Sequence, residues 1–276
     1  MAIITSADVA KLRRVTLAGM MDCKKALEEA DGNFDKAIEI IRKKGQAVAN
    51  KRADREATEG VVLAKVSADG KFGALIVLNS ESDFVAKNEG FVEFATKILD
   101  LAINKKPASL EELKALPMEG AKVGEKVVEY IGIIGEKLEL SFYDKVEAAQ
   151  VQAYIHHGNK LSTLVGFTKA GLDVQVYKDV AMQVAAMSPV AVDKNDVPEK
   201  VIAQEIEIGK EQARRDGKPE EMLEKIAQGK LAKFYKESTL LNQEFVKDNK
   251  LTIGQYLKST DKDLTVTAFK RYTLNL

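Results

Sequence analysis

The sequence repeats one order of patterns: a strand, a tight turn, a second strand and then an amphipathic helix. The first copy has strand-like apolar runs at residues 61–66 and 72–78, and the second copy has them at residues 151–157 and 161–168. Two short apolar runs joined by turn residues predict a β-hairpin. A helical period follows each hairpin, so a helix is expected to cover one face of each sheet. The chain is therefore expected to contain two related α+β subdomains.

Each predicted sheet has a candidate third strand. Residues 137–143 alternate in strand fashion after the first copy, and residues 264–272 do so near the end of the chain. The second subdomain would then be discontinuous, because a helical segment separates its hairpin from its last strand. Within that segment, residues 198–216 and 219–237 predict an antiparallel helical hairpin. Such a hairpin has little core of its own, so it is expected to project and could support self-association.

The N-terminal residues 5–45 predict three short helices around a small core. Asp22 and Asn33 are the expected N-caps of the second and third helices, because their side chains can accept hydrogen bonds from free backbone N–H groups. Gly32 and Gly45 stand where the second and third helices are expected to stop.

Met20 and Met21 lie between the first two predicted helices, in a segment that is unusually apolar for a loop. Two interpretations stay open. The methionines could fill the small core of the three helices, or they could form an adaptable thioether surface that contacts a partner.

Residues 46–59 lack a wide apolar stripe, which predicts a solvated helix or linker. Basic residues in and before this segment could suggest binding of nucleic acid. Acidic residues lie among them and no aromatic residue is interleaved, so a solvated face is the favoured interpretation and no direct contact with nucleic acid is expected. The basic residues concerned are Arg42, Lys43, Lys44, Lys51, Arg52 and Arg55.

The composition argues against several functional classes. The 276-residue chain has 42 basic and 42 acidic residues, so no overall field draws it to nucleic acid or to an anionic membrane. Its single cysteine, Cys23, excludes an intrachain disulfide. The two histidines, His156 and His157, are adjacent in a predicted strand, so they would point to opposite faces, one buried and one exposed. Common hydrolase, zinc and nucleotide-binding motifs are absent, and neither a cofactor nor enzymatic activity is expected.

The N-terminal residues lack the basic and apolar regions of a signal peptide. No segment approaches the roughly 20 apolar residues that a membrane span needs. We therefore expect no contact with a membrane, and we expect a cytoplasmic location.

A polar stretch at residues 79–83 ends the apolar run 72–78 and precedes a helical pattern that begins near Asn88. A junction between a strand and a helix is expected here. Phe84 directly follows Asp83, which sets an aromatic ring beside a carboxylate. Two interpretations are open: Phe84 folds under the helix as core while Asp83 caps a turn, or the ring is presented outward as a contact.

Two motifs in the chain resemble those of the bacterial elongation factor Ts family. Residues 82–88, Ser-Asp-Phe-Val-Ala-Lys-Asn, are similar to the family's Thr-Asp-Phe-Val-Ala segment. Residues 18–27, Ala-Gly-Met-Met-Asp-Cys-Lys-Lys-Ala-Leu, are similar to its N-terminal signature. The departures include Ser82 in place of a threonine, Leu17 in place of a glycine and Gln183 in place of a histidine.

The resemblance implies a non-enzymatic guanine-nucleotide exchange factor that binds elongation factor Tu in its GDP-bound and nucleotide-free forms. It further implies that an Asp-Phe pair promotes GDP release by intruding near the magnesium and phosphate site of that partner. The implied contact residues are Ser82, Asp83, Phe84 and Val85 at the intruding pair, Leu12, Met20 and Met21 in the N-terminal domain, and His157 in the core.

The resemblance also implies a domain organisation that agrees with the patterns. The expected segments are a three-helix domain like ubiquitin-associated (UBA) domains over residues 1–46, a linker helix over 47–59, the first core subdomain over 60–147, the second core subdomain over 148–192 and 239–276, and an inserted helical hairpin, a possible coiled-coil dimerisation module, over 193–238. Each core subdomain is expected to hold a three-stranded antiparallel sheet. A C-terminal extension of some family members is expected to be absent.

Two other functions stay open at this point. The UBA-like helices could serve as a general protein-interaction module, or the basic residues between 42 and 55 could bind nucleic acid, in both cases without exchange activity. Release of labelled GDP from elongation factor Tu separates these functions from nucleotide exchange.

Overall fold

The computed structural model describes residues 3–16 and 18–274, so Leu17 lies outside the described residues. Three helices open the chain and pack around the buried side chains of Leu12, Cys23 and Leu27. They are α1 (Ser6–Thr16), α2 (Met20–Glu29) and α3 (Phe34–Lys51). The three predicted N-terminal helices are confirmed.

The ends of these helices follow the predicted caps only in part. Asn33 caps α3 by accepting a hydrogen bond at 3.0 Å from a backbone N–H of the first turn, and Gly32 ends the preceding turn with a φ of 81°. Asp22 is not the N-cap of α2, because that helix already begins at Met20. Asp22 instead lies in the first turn, where the helix dipole stabilises a carboxylate.

The first core subdomain is an antiparallel sheet with the strand order β1-β2-β5. The central strand β2 is buried along its whole length, since helices cover one face of the sheet and the second subdomain covers the other. In chain order its elements are β1 (Glu59–Val66), β2 (Phe72–Ser80), α4 (Asp83–Ala86), α5 (Glu89–Lys105), α6 (Leu110–Ala115), β3 (Pro117–Met118), β4 (Ala121–Lys122), α7 (Val123–Ile134) and β5 (Leu138–Glu147).

The second core subdomain has a sheet with the order β10-β7-β6, and its third strand is the predicted C-terminal one. The subdomain is therefore discontinuous, as expected, with a helical hairpin inserted between its parts. Its elements and the insert are β6 (Gln150–Ile155), β7 (Leu161–Phe167), α8 (Val174–Met187), α9 (Glu199–Arg215), α10 (Glu220–Ser238), β8 (Glu244–Phe245), β9 (Asp248–Thr252), α11 (Ile253–Thr260) and β10 (Val266–Thr273). This architecture confirms the α+β class.

The two sheets share one apolar cluster, in which Val62 and Val77 of the first sheet pack with Leu164 of the second. The approach is close at Gly73 and Gly166, where an added Cβ would lie 2.8 Å from a valine methyl of the other subdomain. These strands thus require glycine where the sheets come nearest.

Gly45 does not end α3, which continues across residue 46 to Lys51. The glycine serves helix packing instead. A Cβ added to Gly132 of α7 would lie 2.5 Å from the Gly45 Cα atom. The N-terminal helices are therefore joined to the core through a crossing of α3 and α7 that only glycine permits, and no helix break marks the expected boundary between residues 1–46 and 47–59.

The inserted hairpin is held together by its own two helices. Helices α9 and α10 pack against each other, and their buried residues are Gly209 and Ala213 of α9 and Leu223, Ala227 and Leu231 of α10. Across residues 3–16 and 18–274, no helix is long and apolar enough to cross a membrane.

Candidate partner-binding site

The junction after β2 turns sharply and exposes one aromatic ring. Ser82 is the N-cap of α4, since its Oγ accepts a hydrogen bond from the Val85 N–H at 3.4 Å. Asn88 caps α5 in the same way through the Phe91 N–H at 3.3 Å. Between these caps the side chain of Phe84 is 83% exposed. The interpretation that Phe84 forms part of the core is therefore wrong.

The two residues that follow Phe84 in α4 face inward. Ala86 is buried, and Val85 packs against the core of the first subdomain. These two side chains take the interior positions of a helix that has only one turn. The ring of Phe84 is consequently left on the outer side, on a base that is fixed to the core.

Ser82 is fixed from outside the junction as well. Both its N–H and its Oγ donate hydrogen bonds to the carboxylate of Glu136, at 3.0 and 2.8 Å. The Ser80 Oγ donates to the carbonyl oxygen of Ser82 at 2.9 Å. Glu136 lies between α7 and β5, so the loop that enters the third strand braces the turn.

Glu81 has an even larger set of donors. The Arg52 Nη1 lies 2.8 and 3.0 Å from its two carboxylate oxygens, the Arg55 Nη1 donates at 3.1 Å, and the backbone N–H of Lys137 donates at 2.6 Å. Burial of this carboxyl raises its pKa, but hydrogen bonds from Lys137, Arg52 and Arg55 together lower the pKa by more than burial raises it. The pKa of Glu81 therefore lies below its usual value. Glu81 is therefore ionised at neutral pH.

Asp83 does not cap the turn, contrary to one of the two interpretations. Its carboxylate accepts a hydrogen bond from the Lys87 ammonium at 2.6 Å, one helical turn further on. This hydrogen bond holds the pKa of Asp83 below its usual value, and the charge of Lys160 adds to the effect. The side chain is 41% exposed, so a negative charge stands beside the exposed ring of Phe84.

The second subdomain contributes a turn close to this charge. Lys160 pairs with Glu59 at the start of β1, with 2.6 Å between Nζ and Oε2. The carbonyl oxygen of Asn159 accepts a hydrogen bond from the Val62 N–H at 2.7 Å. His157 lies in the same turn and is exposed. The fold thus brings the turn of His157 against the strand that begins beside the Asp83–Phe84 corner.

The expectation of one buried and one exposed histidine is wrong. Strand β6 ends at Ile155, so neither His156 nor His157 lies in a strand, and both are exposed. The Nδ1 atom of His156 lies 2.9 Å from the hydroxyl oxygen of Tyr154. The turn begins earlier than the apolar pattern indicated, which frees both rings from the sheet.

The N-terminal residues divide between surface and core. Met20 and Met21 open α2 and are 59% and 64% exposed, so they do not fill the core. Leu12 has no exposed surface and lies at the centre of the small N-terminal core. The expected contact of Leu12 with a partner stays a prediction, and it requires this core to open, because the side chain is buried in the free factor.

Several residues that shape the site were not predicted. They are Glu59, Lys87, Glu136 and Lys160, together with the use of Arg52 and Arg55 as partners of Glu81. Only Lys87 left a signal in the sequence, since it stands four residues after Asp83, a spacing that places two side chains together on a helix.

The basic segment is largely paired with carboxylates. Arg52 and Arg55 are bound to Glu81, and the Arg42 Nε atom lies 2.7 Å from Glu129. Lys44 pairs with Asp22. The alternative of a nucleic-acid site over residues 42–55 thus finds no row of free cations in this structure.

The described geometry defines a class of protein. One exposed aromatic ring stands on a braced corner, exposed methionines stand on the N-terminal helices, and the second subdomain adds an exposed turn. Over residues 3–16 and 18–274, no cluster of three or more His, Cys, Asp or Glu residues could hold a metal ion. Exposed apolar side chains on a rigid scaffold are typical of a factor that acts by binding another protein.

Comparison with known proteins identifies the family. A family model described as Elongation factor TS matches residues 81–275. The elongation factor Ts of Porphyromonas gingivalis is 54% identical over 273 residues, which cover 99% of this chain and 98% of the relative. That of Cytophaga hutchinsonii is 52% identical over 278 residues, with 100% of both chains covered. That of Flavobacterium psychrophilum is 50% identical over 275 residues, or 99% of this chain and 100% of the relative.

The chain belongs to the elongation factor Ts family. Its function is accordingly that of a cytoplasmic, non-enzymatic factor of translation elongation, which promotes nucleotide exchange on elongation factor Tu. The family membership that two short motifs indicated is thereby confirmed, and the relatives align with nearly the whole chain.

Proposed function

We propose that Phe84 promotes GDP release by entering an apolar slot of elongation factor Tu that opens when the nucleotide site is distorted. The observation that carries this proposal is the 83% exposure of the Phe84 side chain on a corner that hydrogen bonds hold in place. An exchange factor must bind the nucleotide-free partner more tightly than the nucleotide-bound one. Reciprocity then requires that its binding weaken the nucleotide by the same factor.

The expected contribution of the ring can be put in numbers. Complete burial of a phenylalanine side chain stabilises a complex by about 1.5–3 kcal/mol. Since about 1.4 kcal/mol corresponds to a factor of ten, Phe84 supplies roughly one to two decades of preference for the nucleotide-free partner. Larger acceleration requires additional contacts.

Asp83 is proposed to act through its charge. Its carboxylate is ionised and exposed beside the ring, whereas the hydrogen-bonded turn depends on Ser82 and Glu136. An anionic group brought near the magnesium and phosphate site of the partner disfavours the bound nucleotide. Loss of the magnesium ion, which bridges protein and phosphate oxygens, leaves the phosphate charge less compensated.

Met20, Met21 and His157 are proposed as further contacts with elongation factor Tu. All three are exposed in the free factor. The methionine side chains adapt their shape to an apolar surface, and an imidazole can donate or accept a hydrogen bond. These contacts would hold the partner while the corner acts on its nucleotide site.

Phe84→Ala tests the central claim. Elongation factor Tu carrying a fluorescent GDP is mixed with excess unlabelled GDP and each variant, and release is followed by stopped flow. We expect release to slow about ten- to a hundredfold at subsaturating factor, because about 1.5–3 kcal/mol of differential binding is lost. Val246→Ala, which truncates a side chain that is 53% exposed in the second subdomain, should stay within about twofold of the parent chain. An unchanged rate with Phe84→Ala would refute the proposal.

We also propose that the inserted hairpin can self-associate. Ile208 of α9 and Met222 of α10 are 38% and 44% exposed, so the hairpin presents apolar surface to a second copy. Light scattering over a range of concentrations tests this. A constant monomer mass up to about 100 µM would correspond to a Kd weaker than that concentration and would contradict it.

A further inference from the structure

Three segments that are distant in sequence meet at Glu81. The segment after α3 supplies Arg52 and Arg55, and the loop between α7 and β5 supplies the backbone N–H of Lys137. The ammonium of Lys137 turns back and donates to the carbonyl oxygens of Ala53 at 2.9 Å and Arg55 at 2.7 Å. Glu81 and Lys137 therefore tie the end of α3, the entry of β5 and the corner into one unit.

This arrangement differs from a solvated ion pair. The side chain of Glu81 is 15% exposed, and that of Arg52 is 28% exposed. Both oxygens of the carboxylate are used, and a carboxylate with several donors is held in one orientation. Loss of these contacts would free the backbone at Glu81, which directly precedes the N-cap residue Ser82.

The helix that carries the ring cannot orient itself. Helix α4 has four residues, Asp83 to Ala86, which is too short for a stable helix on its own. Its direction must come from contacts made by neighbouring residues. Glu136 fixes Ser82, and the contacts of its own side chain fix Glu81, the residue before Ser82. Of these two carboxylates, only that of Glu81 reaches the segment that continues from α3.

We propose that Glu81 is a positioning residue for nucleotide exchange, which sets the direction in which Phe84 is presented relative to the N-terminal helices. The inference rests on the proposed role of Phe84. Met20 and Met21 stand on the helical domain that leads into Arg52. Phe84 stands on the corner that is tied to Arg52 through Glu81. In addition to the crossing of α3 and α7, Glu81 therefore ties together two contact surfaces that must engage one partner at the same time.

The inference predicts a particular kinetic signature. A displacement of about 1 Å can lower the rate of a step that depends on geometry by up to about a hundredfold. The other contacts still hold the partner. Loss of the Glu81 ties should therefore lower the maximal rate of GDP release and leave the half-saturating concentration of the factor nearly unchanged. A residue that merely contributed binding contact would raise the half-saturating concentration instead.

The test measures GDP release from elongation factor Tu over a range of factor concentrations. Glu81→Ala is expected to lower the maximal rate about tenfold, with the half-saturating concentration within about threefold of the parent chain. Glu81→Gln, which can still accept hydrogen bonds from Lys137 and Arg52, should recover most of the maximal rate.

The matched control is Asp261→Ala in the second subdomain. Like Glu81, Asp261 is largely buried, with 21% of its side chain exposed, and it accepts hydrogen bonds from Lys169 at 2.5 Å and from a backbone N–H at 2.9 Å. This control should leave both kinetic parameters unchanged.

A double variant identifies the route of the effect. If Glu81 acts through Phe84, Glu81→Ala should lower the maximal rate no further in a Phe84→Ala background. An additional tenfold loss there, or a parental maximal rate in the single Glu81→Ala variant, would overturn the inference while a slow Phe84→Ala variant still upheld the proposed function. A parental rate with Phe84→Ala would overturn both.

Discussion

Gly132→Ala is predicted to loosen the attachment of the N-terminal helices to the core. The new methyl carbon would lie 2.5 Å from the Cα atom of Gly45, whereas carbon atoms in contact are about 3.5–4.0 Å apart. Helices α3 and α7 must therefore separate locally by about 1.0–1.5 Å. The obstacle is backbone on both sides, so a change of rotamer cannot relieve it.

The net loss of stability follows from two opposing terms. Extra volume in a well-packed interface is destabilising by about 1–3 kcal/mol. Replacing glycine by alanine inside a helix stabilises by about 0.5–1 kcal/mol. The balance is a loss of about 0.5–2 kcal/mol, which corresponds to a fall in Tm of about 1–8 °C for a domain of this size.

Differential scanning calorimetry of the parent chain and the variant checks this value. The matched control is Gly124→Ala in the same helix, where the added Cβ would lie 3.5 Å from the nearest atom, an ordinary contact. The control should be neutral or slightly more stable than the parent chain. A Gly132→Ala variant that melts at or above the parental Tm would show that the crossing is not as rigid as the structure indicates, and would refute the reasoning.

Two further predictions concern pH. Asp179→Asn is expected to destabilise the second subdomain by about 1–3 kcal/mol at pH 7. Burial raises the pKa of this carboxyl, but hydrogen bonds from Lys247, Gln175 and Tyr256 lower it more, so its pKa is below the usual value. Its contribution is complete above the unfolded pKa of about 3.9 and is lost as the pH falls through the folded pKa, so urea unfolding should show the two chains converging below about pH 4. Burial raises the pKa of Tyr143 to about 12. Since the unfolded phenol titrates near pH 10, stability should fall between about pH 10 and 12, and Tyr143→Phe should reduce that slope.

The order and type of the larger elements could be predicted because period and turn residues are local signals. The discontinuous second sheet followed from the repeated order, in which residues 264–272 were the best candidate for its third strand. The junction after β2 was predictable for the same reason, since a buried strand followed by an amphipathic helix requires a turn between them.

The errors arose where one residue type serves two purposes. Gly45 has the sequence signature of a helix stop, but its role depends on Gly132, a neighbour only in the folded chain. Asp22 is a good N-cap residue and also a good first-turn residue, and the start of α2 at Met20 decides between them. The contacts of Glu81 lie beyond sequence reasoning, because nothing local distinguishes Arg52 and Arg55 from other solvated cations.

The exposure of Phe84 could not be predicted from the apolar pattern, and the proposed function depends on it. With about 100° per residue, Phe84 and Ala86 lie about equally far from the polar direction defined by Asp83 and Lys87, so the period does not decide which of the two is buried. Hydrophobicity alone favours burial of the phenylalanine, yet Ala86 is 7% exposed and Phe84 is 83% exposed. The fold thereby forgoes about 1.5–3 kcal/mol that burial of the ring would provide. Because Glu81 and Ser82 hold the corner in this orientation, that free energy becomes available when a partner covers the ring.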